Sequence, residues 1–257
     1  MENQIHRRKR GINGNGLRTW ALLLLAAGVI GRGVIQTHML GVGQLDTIQL
    51  LEVMSASREM MTLASCSLVL QALETCAVPL YALMLTEGVQ HTTDFNAYFK
   101  RIFGLALLCE IPYNLAMNAK LLAFTSRNPV FALVMAMVML YFYSRFPEDK
   151  FSTKLTKVGI TLVSILWCEM LKIEFGSATV LMVAVLWWFR KNTLYRNFAG
   201  ATAAIVCTVF TPFFLAAPMC FLVVHCYDGE KSTTSRRASY LAYPCILMAA
   251  AIAGFIL

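Results

Sequence analysis

The sequence predicts an all-α fold, a polytopic transmembrane helix bundle of about eight or nine spans with its N-terminus in the cytoplasm. Three observations carry that reading. Apolar residues make up 58% of the 257 and charged residues only 14%, far from the roughly 45–50% and 25% of soluble domains. The apolar residues fall in long blocks, each close to the ~20 residues that cross a hydrocarbon core as a helix. The connectors between blocks are short and mostly basic. Helices are the expected form, because every backbone polar group must find its partner inside lipid.

The blocks lie at about 19–40, 61–86, 102–117, 129–144, 158–171, 177–189, 198–226 and 239–257. A basic tail, residues 1–18, precedes them, and 19–257 reads as a single membrane domain. The run His6-Arg7-Arg8-Lys9-Arg10 has the outline of a signal-peptide start. No clear small-x-small cleavage site follows it, and further spans do. Several blocks are short, which implies tilt, local thinning or shelter by neighbouring helices. The 198–226 stretch is the ambiguous one. Split at Thr211-Pro212 it gives nine crossings, and as one long span it gives eight.

Orientation follows from Lys and Arg, which cytoplasmic loops retain. With nine crossings, the tail and segments 86–101, 144–157, 190–197 and 227–238 are cytoplasmic and hold 17 of the 22 Lys and Arg residues. The outer segments hold Arg58, Lys120, Arg127 and Lys172. One long span at 198–226 would put the basic 227–238 segment outside and weaken that asymmetry. The expected location is the cell membrane, as a multi-pass protein. The net charge of +8 then reports topology and contact with anionic lipid head groups, and calls for no nucleic acid.

Eight cysteines lie in or at the edge of apolar blocks, with no CxxC pair and no His at ligand spacing. They read as small buried apolar residues, and no metal is expected. Walker, dinucleotide-binding, nucleophile-elbow and HExxH patterns are absent from the sequence. The candidate functional residues are therefore the ionisable and polar groups at membrane depth, where each costs several kcal/mol unless it faces protein, water or a partner.

Arg32 lies midway along the first block between Gly31 and Gly33. It either faces the bundle, where the glycines let another helix or a ligand approach, or snorkels to the outer interface. Glu74 precedes Pro79, which kinks or opens its helix. Glu87 and His91, four apart at the inner end of that helix, form a possible base and orienter or a solvated helix end. Glu110, Tyr113 and Asn114 share one face of an apolar helix interrupted by Pro112, as in a polar pocket or a structural hydrogen-bonded network. Glu169 and Lys172 are spaced to neutralise each other, with Glu174 at the outer turn before Gly176.

The run Val78-Pro79-Leu80 through Thr86-Glu87-Gly88 to His91-Thr92 resembles the Pro-Leu-Phe…Val-Glu-Gly-Phe…His-Thr segment of TraX proteins. Glu110-Ile111-Pro112-Tyr113-Asn114 is similar to that family's Glu-Ile-Pro-Tyr/Phe-Asp/Asn. Asn128-Pro129-Val130-Phe131 resembles its next helix start. Glu169 to Lys172, Glu174, Phe175 and Gly176 resemble its Glu-x-x-x-x-Asp-Tyr-Gly turn. Tyr227-Asp228-Gly229-Glu230-Lys231 and Tyr243-Pro244 resemble its closing motifs. The matches run in order from about residue 18 onward. The resemblance implies a polytopic bacterial inner-membrane protein related to the membrane acyltransferases. The family's namesake acetylates a conjugative pilin N-terminus, which implies acetyl-CoA as donor.

The sequence departs from the family at two places. Gly31-Arg32 stand where the resemblance implies an Asp-His pair, and Cys245-Ile246 follow Tyr243-Pro244 where it implies a His two residues on. Arg32 is suited to stabilising an oxyanion but not to accepting a proton, so Glu87 with His91, or Glu110, is the expected base. Arg32, Glu74, Tyr113, Asn114 and Glu169 are the expected donor or substrate pocket. Two functions follow: an acetyl-CoA-dependent acyltransferase acting on a peptide amine or envelope glycan, or a non-catalytic binding, assembly or transport component in which Arg32 pairs with Glu74 or Glu110.

Overall fold

The computed structural model describes residues 11–41, 52, 54–55, 57–148, 150–227 and 236–256, with side chains of the last segment from Tyr240. Residues 1–10 of the basic tail and 228–235 of the segment expected to be the last cytoplasmic one lie outside the described residues. Among the described residues the chain is helical, with two isolated backbone bridges in place of any sheet.

Helix α1 is Gly14–Val29. It starts ahead of the apolar block because Asn13 caps it, its side chain accepting from Gly16 N at 2.9 Å. It runs without a break into a π-helical segment, Ile30–Met39, where Leu40 N reaches back five residues to Ile35 O at 2.9 Å. Helix α2, Arg58–Thr75, is capped by Ser57. Helix α3, Ala77–His91, continues it after a break at Cys76, just ahead of Pro79, which has no N–H to give the preceding turn. Helix α4, Phe95–Asn118, is capped by Asp94, loses one rung at Pro112 and ends on Ala119 in the left-handed region. Helix α5, Val130–Ser144, follows Asn128, whose Oδ1 accepts from Val130 N at 3.0 Å.

Helix α6 is Phe151–Met170, α7 is Gly176–Trp188 and α8 is Thr193–Val206. The 198–226 stretch is divided. A short 3-10 turn at Cys207–Val209 leads to extended Thr211, and a 3-10 segment at Pro212–Met219 runs into helix α9, Cys220–His225. The returning limb packs on α8, so that a Cβ on Gly200 would overlap the Phe221 ring. Helix α10 is Arg236–Ile256.

The described helices run between two ends of the bundle. One end gathers Ile12 beside Tyr227, with Ile12 N donating to Cys226 O at 2.8 Å, and the Tyr227 hydroxyl donating to Glu87 at the end of α3. The opposite end holds the pairing of Arg127 with the 172–174 turn and the packing of His38 against Gly254. Helix α7 is only 13 residues, about 20 Å at 1.5 Å per residue. It is buried from Gly176 to Val180 and packs against α3, α5, α6 and α8, so neighbours shelter it.

The outward face is apolar, with Leu107, Leu108, Leu162, Leu166, Val209 and Leu215 all more than half exposed. Large apolar side chains exposed on several helices in this way suit an outward face turned to lipid. Two helical runs, Gly14–Met39 and Arg58–His91, are long and apolar enough to cross a membrane by length and composition.

Candidate functional site

The π-helical segment presents Arg32 inward, not to the outer interface. It is met sideways by its neighbours: Gly31 O accepts from Ser67 Oγ of α2 at 2.8 Å, and the Thr37 side-chain hydroxyl donates to Met117 O of α4 at 3.2 Å. The two glycines allow this approach. A Cβ on Gly31 would meet Ser67 O at 3.0 Å, and one on Gly33 would meet Ala116 O at 3.2 Å. Widened turns of this sort are frequent at functional sites.

Arg32 joins two carboxylates from different elements. Its Nη2 meets Glu74 Oε2 at 2.5 Å, and its Nη1 pairs with Glu174 Oε1. Glu74 is 2% exposed, close to the end of α2. Glu174 stands in the α6–α7 turn, where its other oxygen accepts from the Tyr113 hydroxyl at 2.7 Å. Tyr113 also shares a 2.9 Å hydrogen bond with Ser126. The Phe175 ring lies 5.1 Å from the guanidinium carbon, a cation–π contact. Arg32 Nε is buried with no acceptor among the described residues.

The turn that delivers Glu174 is strained. Lys172 has φ 51° and Phe175 φ 53°, uncommon for any residue with a Cβ and more so for a bulky aromatic one. Residues held this way cluster at functional sites. The turn is clamped by Arg127 N donating to Lys172 O at 2.9 Å and by Glu174 N donating to Arg127 O at 3.0 Å.

Two cavities meet at this cluster. The inner one, toward the end where Ile12 meets Tyr227, is about 410 Å³, extends from Glu74 at the end of α2 along α3 to His91 and includes Arg18, Tyr98, Arg101 and Tyr243. The outer one, about 250 Å³, is lined by Arg32, Gln36, Gln71, Glu169, Glu174 and Ser177 among others. Phe175 lines both. The Arg32–Glu74–Glu174 cluster with Phe175 is therefore a charged septum between them.

Of the residues singled out in the sequence, Arg32, Glu74 and Tyr113 come together here. Glu169 lines the outer cavity and accepts from the Ser177 hydroxyl; its described partner is that serine and not Lys172. Glu110 pairs with Arg127 at 3.0 Å and accepts from Asn128 Nδ2 at 2.6 Å, so Arg32 takes Glu74 and not Glu110 as partner. Asn114 is buried and accepts from Asn118 at 3.3 Å. Glu87 accepts from Tyr227 at 3.0 Å and lies 3.7 Å from Arg196, while His91 lines the inner cavity. Glu174 and Phe175 were the residues missed as site groups. Their signal was the resemblance of the turn before Gly176 to a family motif.

A helical bundle with a buried Arg–carboxylate septum between opposed cavities defines a class of membrane-type bundle proteins with an internal polar site. The TraX protein family profile matches residues 44–253, and the chain belongs to the TraX family. That span leaves the π-helical segment and Arg32 outside the matched residues. No curated protein and no solved structure matches the chain.

Proposed function

We propose that this protein is an integral membrane acyltransferase of the cell membrane, with nine crossings and a cytoplasmic N-terminus, that takes acetyl-CoA from the cytoplasm and passes the acyl group to a peptide amine or an envelope glycan. The observation that supports it is the septum, because a transfer reaction needs donor and acceptor to reach one charged centre from separate sides. The inner cavity falls within the roughly 300–1,000 Å³ of small-molecule sites. Its lining brings Arg18, His91 and Arg101 toward the basic end of the bundle, where they favour the CoA phosphates electrostatically. Glu74 stands at its deep end.

Attack on a thioester needs an oxyanion donor and a group that moves protons. Arg32 serves the first need, since its Nε–H is unspent and a guanidinium keeps its charge at pH 7. For the second, Glu74 and Glu174 touch the septum. Glu87 with His91 acts at the inner entrance in this reading, and Glu110 holds the Arg127 turn.

A second reading is a non-catalytic binding, assembly or transport component. Its supporting observation is that both terminal nitrogens of Arg32 are taken by carboxylates, as in an ion cluster that only ties helices together.

A thermal-shift titration of the purified protein with acetyl-CoA separates the two. Ligand at 100 times its dissociation constant is expected to stabilise wild type by ~2.7 kcal/mol. Exposed Arg101, changed to Ala, is expected to unfold at the wild-type temperature without ligand and to need more acetyl-CoA for the same shift. A well-folded wild type that shows no shift would select the non-catalytic reading.

A further inference from the structure

With both carboxylates ionised, the charges of the septum do not balance. Arg32 contributes one positive charge, Glu74 and Glu174 each contribute one negative charge, and among the described residues no other cation is ion-paired with either carboxylate. Besides Glu169, the other titratable groups near the cluster are phenol hydroxyls and a thiol. Tyr113 of α4 donates to Glu174, Tyr243 of α10 lies within electrostatic range of Glu74 and Arg32, and Cys109 of α4 within range of Tyr243. All of these are neutral at pH 7 in the ordinary range of phenols and thiols. Glu169, in the outer cavity, is engaged by Ser177 and adds no positive charge.

An uncompensated charge in a low-dielectric interior is resolved by taking up a proton, and two carboxylates sharing one site cannot both stay ionised. We infer that Glu74 and Glu174 share a single proton across Arg32, one carboxyl protonated while the other is ionised, so that the septum is a neutral proton exchanger with one carboxyl at each cavity. The guanidinium holds both carboxyl groups, one on each terminal nitrogen, whichever of them carries the charge. Glu74 is open to the inner cavity and Glu174 to the outer one, which gives each its own route to water.

The use of this device rests on the acyl-transfer reading. With the proton on Glu74, the acceptor's nitrogen or oxygen in the outer cavity attacks the acyl carbon and gives its proton to the Glu174 carboxylate. The C–S bond breaks, and the CoA thiolate takes the proton of Glu74. The products are the acylated acceptor and CoA thiol; the proton has changed sides, and the septum is neutral before and after, its transient positive charge facing the tetrahedral oxyanion. Reset returns one proton to Glu74 through the inner cavity and releases one from Glu174 through the outer.

The test is infrared difference spectroscopy on the full-length protein in lipid at pH 7, reading the carbonyl stretch of a protonated carboxylic acid and its shift in D2O. Glu74→Gln or Glu174→Gln each leaves Arg32 with one carboxylate, so each variant is expected to lose one such band. Arg32→Met leaves two unpaired carboxyls and is expected to double it. Glu110→Gln, whose carboxylate belongs to Arg127, leaves it unchanged. A wild type with no band, a band lost in only one of the two glutamine variants, or a band that Arg32→Met leaves unaltered overturns the shared proton. The band is read without acetyl-CoA, so its absence and the absence of an acetyl-CoA thermal shift are separate results.

Discussion

Arg32 shows how one residue binds three elements into a site. The π-helical segment supplies the guanidinium, α2 supplies Glu74, and the turn before α7 supplies Glu174. Removing one partner of a buried pair costs roughly 3–5 kcal/mol because the other is left without compensation. Arg32→Ala is therefore expected to lower the unfolding temperature of the purified protein sharply. Adding Glu74→Gln to that variant removes one stranded carboxyl and is expected to recover part of the loss, a coupling that a double-mutant cycle reads directly. Additive losses would show that the pair contributes nothing to the fold. Arg32, Glu74 and Tyr113 were legible in the sequence because charge and hydroxyl groups stand out in apolar blocks. Which carboxylate met Arg32 was not, since Glu74, Glu110 and Glu174 are equally acidic on paper.

At the scale of the element, the glycines of the first pass set how near the helices come. A Cβ on Gly28 would overlap the Glu74 side chain, its Cβ included, so Gly28→Ala must push α2 or the carboxyl away from Arg32. Overpacking of this kind costs about 1–3 kcal/mol. Gly104 in α4 has nothing within 4 Å of its would-be Cβ. Gly104→Ala is expected to leave stability unchanged or raise it by up to about 1 kcal/mol, following helix propensity. Thermal unfolding of the two variants side by side checks both. Equal effects would mean that close approach at Gly28 plays no part. The helix boundaries were partly legible. The caps Asn13, Ser57, Asp94 and Asn192 carry α1, α2, α4 and α8 beyond their apolar blocks, because a helix end follows its capping residue and not the edge of hydrophobicity. The π-helical coil at Ile30–Met39 had no local signal.

For the molecule, the proposed topology has nine passes, with most Lys and Arg on the cytoplasmic side. The Thr211-Pro212 split returns the chain to the end where Ile12 meets Tyr227, which keeps the basic connectors on one side. Single reporter cysteines in a background lacking the native ones test this. Leu121→Cys, in the α4–α5 connection, is expected to react with a membrane-impermeant maleimide in intact cells. Lys191→Cys, between α7 and α8, is expected to react only after lysis. The reverse pattern would invert the orientation, and labelling of both in intact cells would rule out opposite sides.

Composition and block length by themselves determined that the chain is helical and apolar on its outward face, because burying backbone polar groups in lipid leaves few other solutions. The order of short motifs determined the family. Only the tertiary structure decided that Arg32 sits between Glu74 and Glu174, that Glu110 is taken by Arg127, and that two cavities end at one septum. Those pairings join residues 17 to 142 positions apart. Their choice depends on helix rotation, on the strained turn at Lys172 and Phe175, and on how close glycines let the helices come. None of these leaves a periodic trace in the sequence.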